Sequence, residues 1–216
     1  THVAQFSPTF SITTNAYHNN FRRNWYKLDE VTLAEKASLN AILMAPEEYP
    51  LAYQTLLGQQ DTAPAVLGVK ANNRRYLSKG IQSAARWTWG QKWLHTIELG
   101  VRYHFDQEDR FQWVDRYAFI NNEMVMTTAG RRGTDANRIN SAQALSHHIL
   151  YTAKFGGLTL TPGLRMEQMN LKRLDYGKLD PDRVGNDASR RNNRLTVWIP
   201  GIGANYRFNN MIQAFG

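Results

Sequence analysis

Four pairs of adjacent arginines are the residues of this sequence best suited to binding chemistry, because a guanidinium group grips carboxylates and phosphates through two parallel hydrogen bonds. Lys and Arg number 26 against 18 Asp and Glu, which gives a formal net charge of +8. Such an excess indicates either solvated loop ends or an electropositive vestibule that attracts an anion. The charge is not gathered into one basic helix or tail, so we expect no nucleic-acid partner. The pairs are Arg22-Arg23, Arg74-Arg75, Arg131-Arg132 and Arg190-Arg191.

Catalytic and metal-binding patterns are weak. His147 and His148 are adjacent within a predicted strand, where neighbouring side chains face opposite ways, so a two-histidine metal site is geometrically disfavoured. We expect His147 to face lipid and His148 to face a lumen. The segment 106–109 (Asp-Gln-Glu-Asp) could ligate calcium, but an acidic loop explains it equally simply. No metalloprotease, phosphate-loop or nucleophile-elbow motif occurs, and cysteine is absent. We predict no enzymatic activity, no metal site and no cofactor.

Alternating apolar and polar residues predict the strands that position these side chains. Between Trp93 and Phe105, the odd positions are mainly apolar, whereas the even positions include Glu98, Arg102 and His104. A period of two places these two sets on opposite faces of a strand. The same period recurs in the segments 10–16, 81–89, 145–155, 158–168 and 198–208, and a further strand begins at Met211.

Connections between the predicted strands alternate in length. Long polar segments cover residues 29–77, 106–140 and 174–193, whereas tight turns fall at residues 90–92, 156–157 and 209–210. This rhythm is typical of outer-membrane barrels, which have long extracellular loops and short periplasmic turns. Aromatic residues at both strand ends suit the two membrane interfaces. The sequence therefore predicts an all-β fold: an antiparallel meander from a transmembrane outer-membrane β-barrel, with about seven membrane strands.

Several segments qualify this scheme. Pro162 and Pro200 fall inside predicted strands, and each precedes a glycine, so we predict bulges or local breaks there. The stretch Thr32–Leu43 begins with capping-box spacing and predicts a helix, either as a packed loop element or as a mobile lid. The stretch Arg110–Thr127 predicts a hairpin that turns at Asn121-Asn122.

No segment reaches the roughly 20 apolar residues of a membrane helix. Residues 1–10 lack signal-peptide features, which predicts a cleaved leader or an internal segment.

Four blocks of sequence resemble the TonB-dependent receptors of the ferric dicitrate type, and they occur in the order expected for that family. The segment Leu158–Glu167 (LTLTPGLRME) is similar to the widespread LTPGLRYE strand, with Met166 where tyrosine is commoner, and it contains Pro162. The other blocks are Phe21–Leu28 (FRRNWYKL), Leu99–Phe111 (LGVRYHFDQEDRF) and Val197–Tyr206 (VWIPGIGANY).

This resemblance implies active transport across the bacterial outer membrane. Family members have an N-terminal plug, a TonB box and a barrel of about 22 strands. Residues 1–216 are then a part of the barrel domain, and TonB acts through a plug that this chain does not contain. The implied ligand is a ferric chelate, either ferric citrate or another siderophore complex, and the implied surroundings are outer-membrane lipid. The alternatives are a passive porin, a receptor for heme or cobalamin, and a soluble β-rich binding domain.

Charged residues expected on the lumen face have two interpretations, mutual pairing along a hydrated wall and binding of the chelate. At the mouth of the barrel we predict ligand binding by Arg22, Arg23, Arg102 and Arg165. Because seven strands cannot close a wide pore, we also expect the isolated chain to be unstable and to bind a chelate weakly. The expected lumen charges are Arg86, Glu98, Arg102, Lys154, Arg165, Glu167 and Arg207.

Overall fold

Twelve strands and two short helices make up the described residues, 1–33, 36–58 and 60–216, of this computed structural model. The first five strands are β1 (His2–Ser7), β2 (Phe10–Arg23), β3 (Tyr26–Thr32), β4 (Lys36–Ser38) and β5 (Leu67–Ala71). The helices are α1 (Leu39–Met44) and α2 (Pro50–Leu56). The remaining strands are β6 (Arg74–Trp89), β7 (Leu94–Ile120), β8 (Glu123–Thr128), β9 (Ala136–Phe155), β10 (Leu158–Asp175), β11 (Ser189–Arg207) and β12 (Gln213–Phe215).

Eight strands form the main sheet in the order β1-β2-β6-β7-β9-β10-β11-β12, with every neighbouring pair antiparallel. The predicted tight turns are confirmed at one end of this sheet, where Gly90 and Gly156 adopt positive φ values of 97° and 61°. The count of seven strands was too low, because β1 was not included. The antiparallel meander predicted from the alternation is confirmed.

The pairing register divides the main sheet into two faces. Ile81 pairs with Tyr103, Tyr103 with Leu145, and Leu145 with Gln168, so these side chains project from the same side. We call this side the apolar face. It consists of the even residues of β2, β10 and β11 and the odd residues of β6, β7 and β9. The opposite side, the polar face, includes Glu98 and Arg102.

The apolar face is uncovered by the rest of the described chain. Leu99 is 51% exposed and Ile202 is 74% exposed, although both are large aliphatic residues. A soluble domain buries such a surface, whereas a membrane barrel presents it to lipid. Aromatic side chains cluster at the turn end, as predicted, with ring centroids 5.6 Å apart for Trp93 and Phe155.

One of the predicted long loops, the segment 106–140, is largely ordered sheet, which corrects the expected boundaries. β7 runs unbroken for 27 residues, far beyond the expected end at Phe105. Its upper part pairs with β5 and β8, and β5 pairs with β3. The alternation does not reveal these extensions because both faces carry polar residues above the apolar band. The predicted hairpin is confirmed, and Asn121 and Asn122 form its turn with φ values of 53° and 65°.

The two helices pack on this upper sheet around a small core of their own, which we call the upper subdomain. Ile42 and Val31 are fully buried there, together with Leu67. α1 begins at Leu39 after the cap Ser38, whose Oγ accepts a hydrogen bond from the Ala41 amide at 3.2 Å. The predicted start of the helix at residue 32 was therefore wrong, because a strand occupies 36–38. Ala34 and Glu35 of the expected capping box lie outside the described residues. Neither described helix has the length and apolarity to cross a membrane.

The prolines do not shift the strand register, so the predicted bulges are wrong, whereas the predicted local break occurs at Pro162 in the ladder to β9. Pro162 pairs opposite Ile202, and Pro200 opposite Leu164, within an unbroken ladder between β10 and β11. The ladder to β9 skips Pro162 and resumes in the same register at Gly163. Pro200 is tolerated because no strand pairs with the other side of β11 at that residue among the described residues, and an edge needs no amide donor.

Candidate functional site

Four arginines lie side by side across consecutive strands at the end of the sheet opposite the tight turns. Arg23 of β2 pairs opposite Arg74 of β6, Arg74 opposite Arg110 of β7, and Arg110 opposite Arg138 of β9. All four belong to the polar face. We call this line of residues the arginine row.

The next row of the polar face, one step nearer the tight turns, adds two more arginines. It contains Tyr76, Glu108, Asn140, Arg173 and Arg191 on successive strands. The arginine row itself continues to Asp175, which pairs opposite Arg138. Six arginines therefore face two carboxylates, an excess of four positive charges. Like charges directly opposite one another destabilise a sheet, so this arrangement favours the binding of an anion.

Glu108 neutralises the centre of the cluster. Its Oε1 lies 3.0 Å from Arg74 Nη1, its Oε2 lies 2.9 Å from Arg110 Nε, and Asn140 donates to it at 3.2 Å. Burial alone would raise the pKa of Glu108, but Arg110, Asn140 and Arg74 outweigh burial and lower it below its ordinary value. The carboxylate is thus charged at neutral pH and orients two of the arginines.

Arg138 and Arg23 are less well compensated. The Nε atoms of both side chains are buried without a hydrogen-bond partner. Burial lowers the pKa of Arg138, and the neighbouring cations Arg173 and Arg110 lower it further, while Asp175 partly offsets them. An unpaired buried donor beside other cations is a site where an added carboxylate or phosphate oxygen would be stabilised.

A cavity of about 620 Å³ opens beside the arginine row on the polar face. Its lining includes Tyr76, Glu108, Asn140, Arg173 and Arg191. This volume lies within the range of small-molecule sites. The cavity therefore combines room for a compact ligand with two arginines, of which Arg173 is oriented by Asp175 at 2.7 Å.

The predicted site residues occupy three different environments. Arg22 projects from the apolar face and Arg23 from the polar face, so the two side chains cannot line one pocket. Arg102 lies lower on the polar face, where Tyr17 accepts a hydrogen bond from its Nη2 at 2.9 Å. Arg165 pairs with Glu167 at 2.6 Å and donates to Ser146 at 3.2 Å. Only Arg23 of the four lies in the arginine row.

A second polar network surrounds Arg102 and Arg165 within the membrane-spanning part of the sheet. Tyr17 hydrogen-bonds His104, and His104 Nε2 lies 2.7 Å from Asp106. His148 lies 3.2 Å from Glu98. The network borders a cavity of about 210 Å³ whose lining includes Glu98, Arg102, His148 and Arg165. Of the expected lumen charges, Arg165 and Glu167 therefore pair with each other, whereas Glu98 pairs with His148.

Metal binding finds no support among the described residues, which contain no cluster of three histidine, aspartate or glutamate side chains able to hold an ion. His147 and His148 face opposite sides, as expected. In the acidic segment, Asp106 contacts His104, Glu108 contacts two arginines, and Asp109 faces the other side of the strand.

Three of the adjacent arginine pairs in the sequence indicated part of the arginine row and of the row beside it. The pairs at 22–23, 74–75 and 190–191 were noted as a candidate vestibule, but they lie on strands rather than in loops. Arg110, Arg138 and Arg173 were not identified, because each is a single arginine in a polar stretch. Only the pairing register brings them together.

Comparison with known proteins establishes the fold. No family model matches the chain, and no curated protein matches it. The ferric citrate transporter FecA, in its unliganded form, superposes with a TM-score of 0.64 at 10% identity, over 98% of this chain and 24% of that one. The ferric-catecholate import receptor Fiu from Escherichia coli K12, in a closed form, superposes with a TM-score of 0.57 at 9% identity, over 96% of this chain and 30% of that one.

These identities are low, so the likeness concerns the fold. The chain spans about a quarter of the length of FecA and under a third of Fiu. Both are transport proteins, and both contain the long antiparallel strands described above. The chain therefore has the fold of a segment of the outer-membrane β-barrel of such receptors.

Proposed function

We propose that this chain forms part of the wall of an outer-membrane transport barrel, and that the arginine row binds an anionic ferric chelate during import. The observation that carries the proposal is the alignment of Arg23, Arg74, Arg110 and Arg138 on four consecutive strands. Repulsion among four aligned cations costs stability, which an anionic ligand would offset.

The position of the row supports a role in ligand capture. It lies on the polar face, which faces the lumen when the apolar face contacts lipid. It also lies above the apolar band, at the end away from the tight turns. In an outer-membrane barrel this is the extracellular end, where a ligand arrives from outside.

We infer that the ligand carries carboxylates. A guanidinium group binds a carboxylate through two parallel hydrogen bonds, and the side chains of Arg138 and Arg191 form no ion pair within the described residues. A ferric citrate complex has this chemistry, as does any compact polycarboxylate chelate. FecA transports ferric citrate, and Fiu imports ferric catecholates.

The proposed import also requires parts beyond the wall. We propose that a plug domain and TonB provide the gate and the energy, as the sequence resemblance implies. A passive porin would use the same arginines without either partner. Energy-dependent accumulation of the chelate distinguishes the two functions.

The binding test uses the full-length protein that contains this chain, purified in detergent. Ferric citrate is the anionic ligand, and an uncharged ferric trihydroxamate is the comparison ligand. Arg138→Gln and Arg191→Gln remove cations from the polar face. Arg194→Gln is the matched control, because Arg194 lies on the same strand as Arg191 but projects from the opposite face.

Each polar-face variant should weaken ferric citrate binding about tenfold, which corresponds to about 1.4 kcal/mol. Affinity for the uncharged chelate should not change, and the control should bind both ligands normally. If Arg138→Gln and Arg191→Gln bind ferric citrate as tightly as the unmodified protein, the arginine row and the neighbouring row that contains Arg191 do not form the chelate site.

A further inference from the structure

Exposed cations also project from the apolar face, beyond the end of its apolar run. They occur on four strands of the main sheet: β2, β6, β10 and β11. On β6, for example, the outward residues run from Trp89 to Ile81 and then reach Lys79 and Arg75. We call this set the cation belt. Its members are Arg22, Arg75, Lys79, Lys172, Arg190 and Arg194.

No acidic side chain neutralises the cation belt within the described chain. None of the six cations takes part in an ion pair there, and Lys79 contacts only the ring of Phe105, at 5.5 Å from its centroid. The one carboxylate on this side of the main sheet near the belt is Asp109, and Arg183 occupies it at 2.6 Å. The belt contrasts with the arginine row, where Glu108 and Asp175 supply internal partners.

The belt occupies only one border of the apolar face. At the other border, the turns contain Lys92 alone as a basic residue, and the outward strand positions there are apolar or aromatic. Solvation of the extended strand ends accounts for charge at this border, but it does not account for six cations beside the single carboxylate of Asp109. An anionic partner on one side of the membrane would account for this excess.

The height of the belt matches a headgroup layer. Successive outward residues of a tilted barrel strand are separated by about 5 Å along the membrane normal. Lys79 is the first outward residue above Ile81, and Arg75 is two steps higher. The lower cations of the belt, such as Lys79, therefore lie roughly 5 Å above the apolar edge, within the headgroup layer, and the upper cations extend to roughly 15 Å.

We propose that the cation belt binds the phosphate groups of an anionic glycolipid in the outer leaflet of the membrane. Arginine and lysine clusters beside a membrane bind such headgroups through charge-assisted hydrogen bonds. Lipid phosphates bearing two negative charges suit cations on neighbouring strands, such as Arg22 and Arg75, which pair directly opposite each other. This inference rests on the proposed membrane location but not on the proposed chelate site.

The test measures lipid retention by the full-length protein. The protein is mixed in detergent with lipid A, a phosphorylated glycolipid, or with the zwitterionic dioleoylphosphatidylcholine, and bound lipid is counted by native mass spectrometry. The belt variant combines Arg75→Gln, Lys79→Gln, Lys172→Gln and Arg194→Gln. A control variant removes the same charge from turns and loops through Lys92→Gln, Arg131→Gln, Arg132→Gln and Lys178→Gln.

The unmodified protein and the control should retain lipid A, whereas the belt variant should retain at least tenfold less. Phosphatidylcholine retention should be equal in all three. A conservative variant, with Arg75→Lys and Arg194→Lys, should fold and retain lipid A, which separates charge from packing. Equal lipid A retention by the belt variant, or equal loss by the control, would overturn the proposal.

Ferric citrate binding is measured on the same samples. The belt variant should bind the chelate within twofold of the unmodified protein. If the belt variant loses lipid A retention but no sample binds ferric citrate, including the unmodified protein, then the proposed function is refuted. The proposal for the cation belt is supported in that case. Normal chelate binding with belt-independent lipid retention would refute the belt alone.

Discussion

Arg183 and Asp109, 74 residues apart in the chain, form a two-point ion pair. Arg183 Nη1 lies 3.0 Å from Asp109 Oδ2, and Nη2 lies 2.6 Å from Oδ1. The guanidinium group also stacks 4.3 Å from the ring centroid of Phe111, and Nε donates to Asn137 at 2.7 Å. This side chain fastens the segment 176–188 to β7 and β9, together with Asn137, whose side chain donates to the Asp180 carbonyl at 2.6 Å. Its backbone has a φ of 58°, which non-glycine residues rarely adopt.

Arg183→Ala should release the segment 176–188 from the sheet. The lost charged hydrogen bonds should lower local stability by about 1.5–3 kcal/mol, because both partners are largely buried. Faster proteolysis and hydrogen exchange within 176–188 would measure the release. Asp182→Asn is the control, since Asp182 pairs with Arg131 at an exposed position. Equal protection of the segment in both variants would argue against the fastening.

Glu108→Gln should lower the free energy of unfolding by about 1–3 kcal/mol at neutral pH, because Arg74 and Arg110 lose their shared carboxylate. The folded state lowers the pKa of Glu108 from its ordinary 4.5, so its stabilisation is present above that pH and is lost as the pH falls through the lower folded value. Urea unfolding in lipid vesicles between pH 7 and pH 3 measures this loss. The Gln variant should show a shallower decline below pH 4.5, and an unchanged decline would contradict the assignment.

Gly80→Ala should disrupt the lower polar network. A methyl group at residue 80 would overlap the Tyr17 hydroxyl and the carbonyl oxygen of Tyr103, and a backbone atom cannot move aside cheaply. Overpacking of this kind costs about 1–3 kcal/mol. Gly201→Ala is the control, because the same methyl group meets nothing within 4 Å there. The midpoint of thermal unfolding should fall for Gly80→Ala only; equal midpoints would contradict the tight packing.

Ile42→Ala should loosen the upper subdomain without unfolding the main sheet. Ile42 is fully buried, and its truncation should cost about 2–5 kcal/mol locally. Leu43→Ala, at the adjacent and exposed position, is the control. Hydrogen exchange should rise in residues 39–58 for Ile42→Ala and stay unchanged in residues 94–105. Increased exchange in both regions would show that the two parts unfold as one unit.

Strand alternation in the sequence predicted the membrane part of the fold well. Trp93–Phe105 has one strongly apolar face, so its period of two is visible without other information. The upper half of β7 lacks this contrast, because both of its faces contain polar residues such as Asp109 and Arg110. The alternation therefore predicts a separate hairpin over 110–127 within a long loop, and not the continuation of the membrane strand.

The candidate site could not be assembled from the sequence for a different reason. A tight turn such as Gly90 fixes the register between β6 and β7, so the pairing of Arg74 with Arg110 follows from local geometry. The alignments of Arg23 with Arg74 and of Arg110 with Arg138 join strands separated by intervening elements. Their register depends on packing of the whole sheet. Alternation alone did imply that Arg22 and Arg23 face opposite sides.

β7 has a mechanical consequence. Its 27 residues span about 90 Å as a single extended strand, and after Gly100 they contain neither glycine nor proline. The upper subdomain is built on the same strand that crosses the membrane, with Arg110 near the junction. The upper subdomain is therefore joined to the barrel wall without a hinge. Tilting the subdomain would bend the sheet beneath it. If the arginine row binds a ligand as proposed, that ligand must fit an entrance of fixed shape.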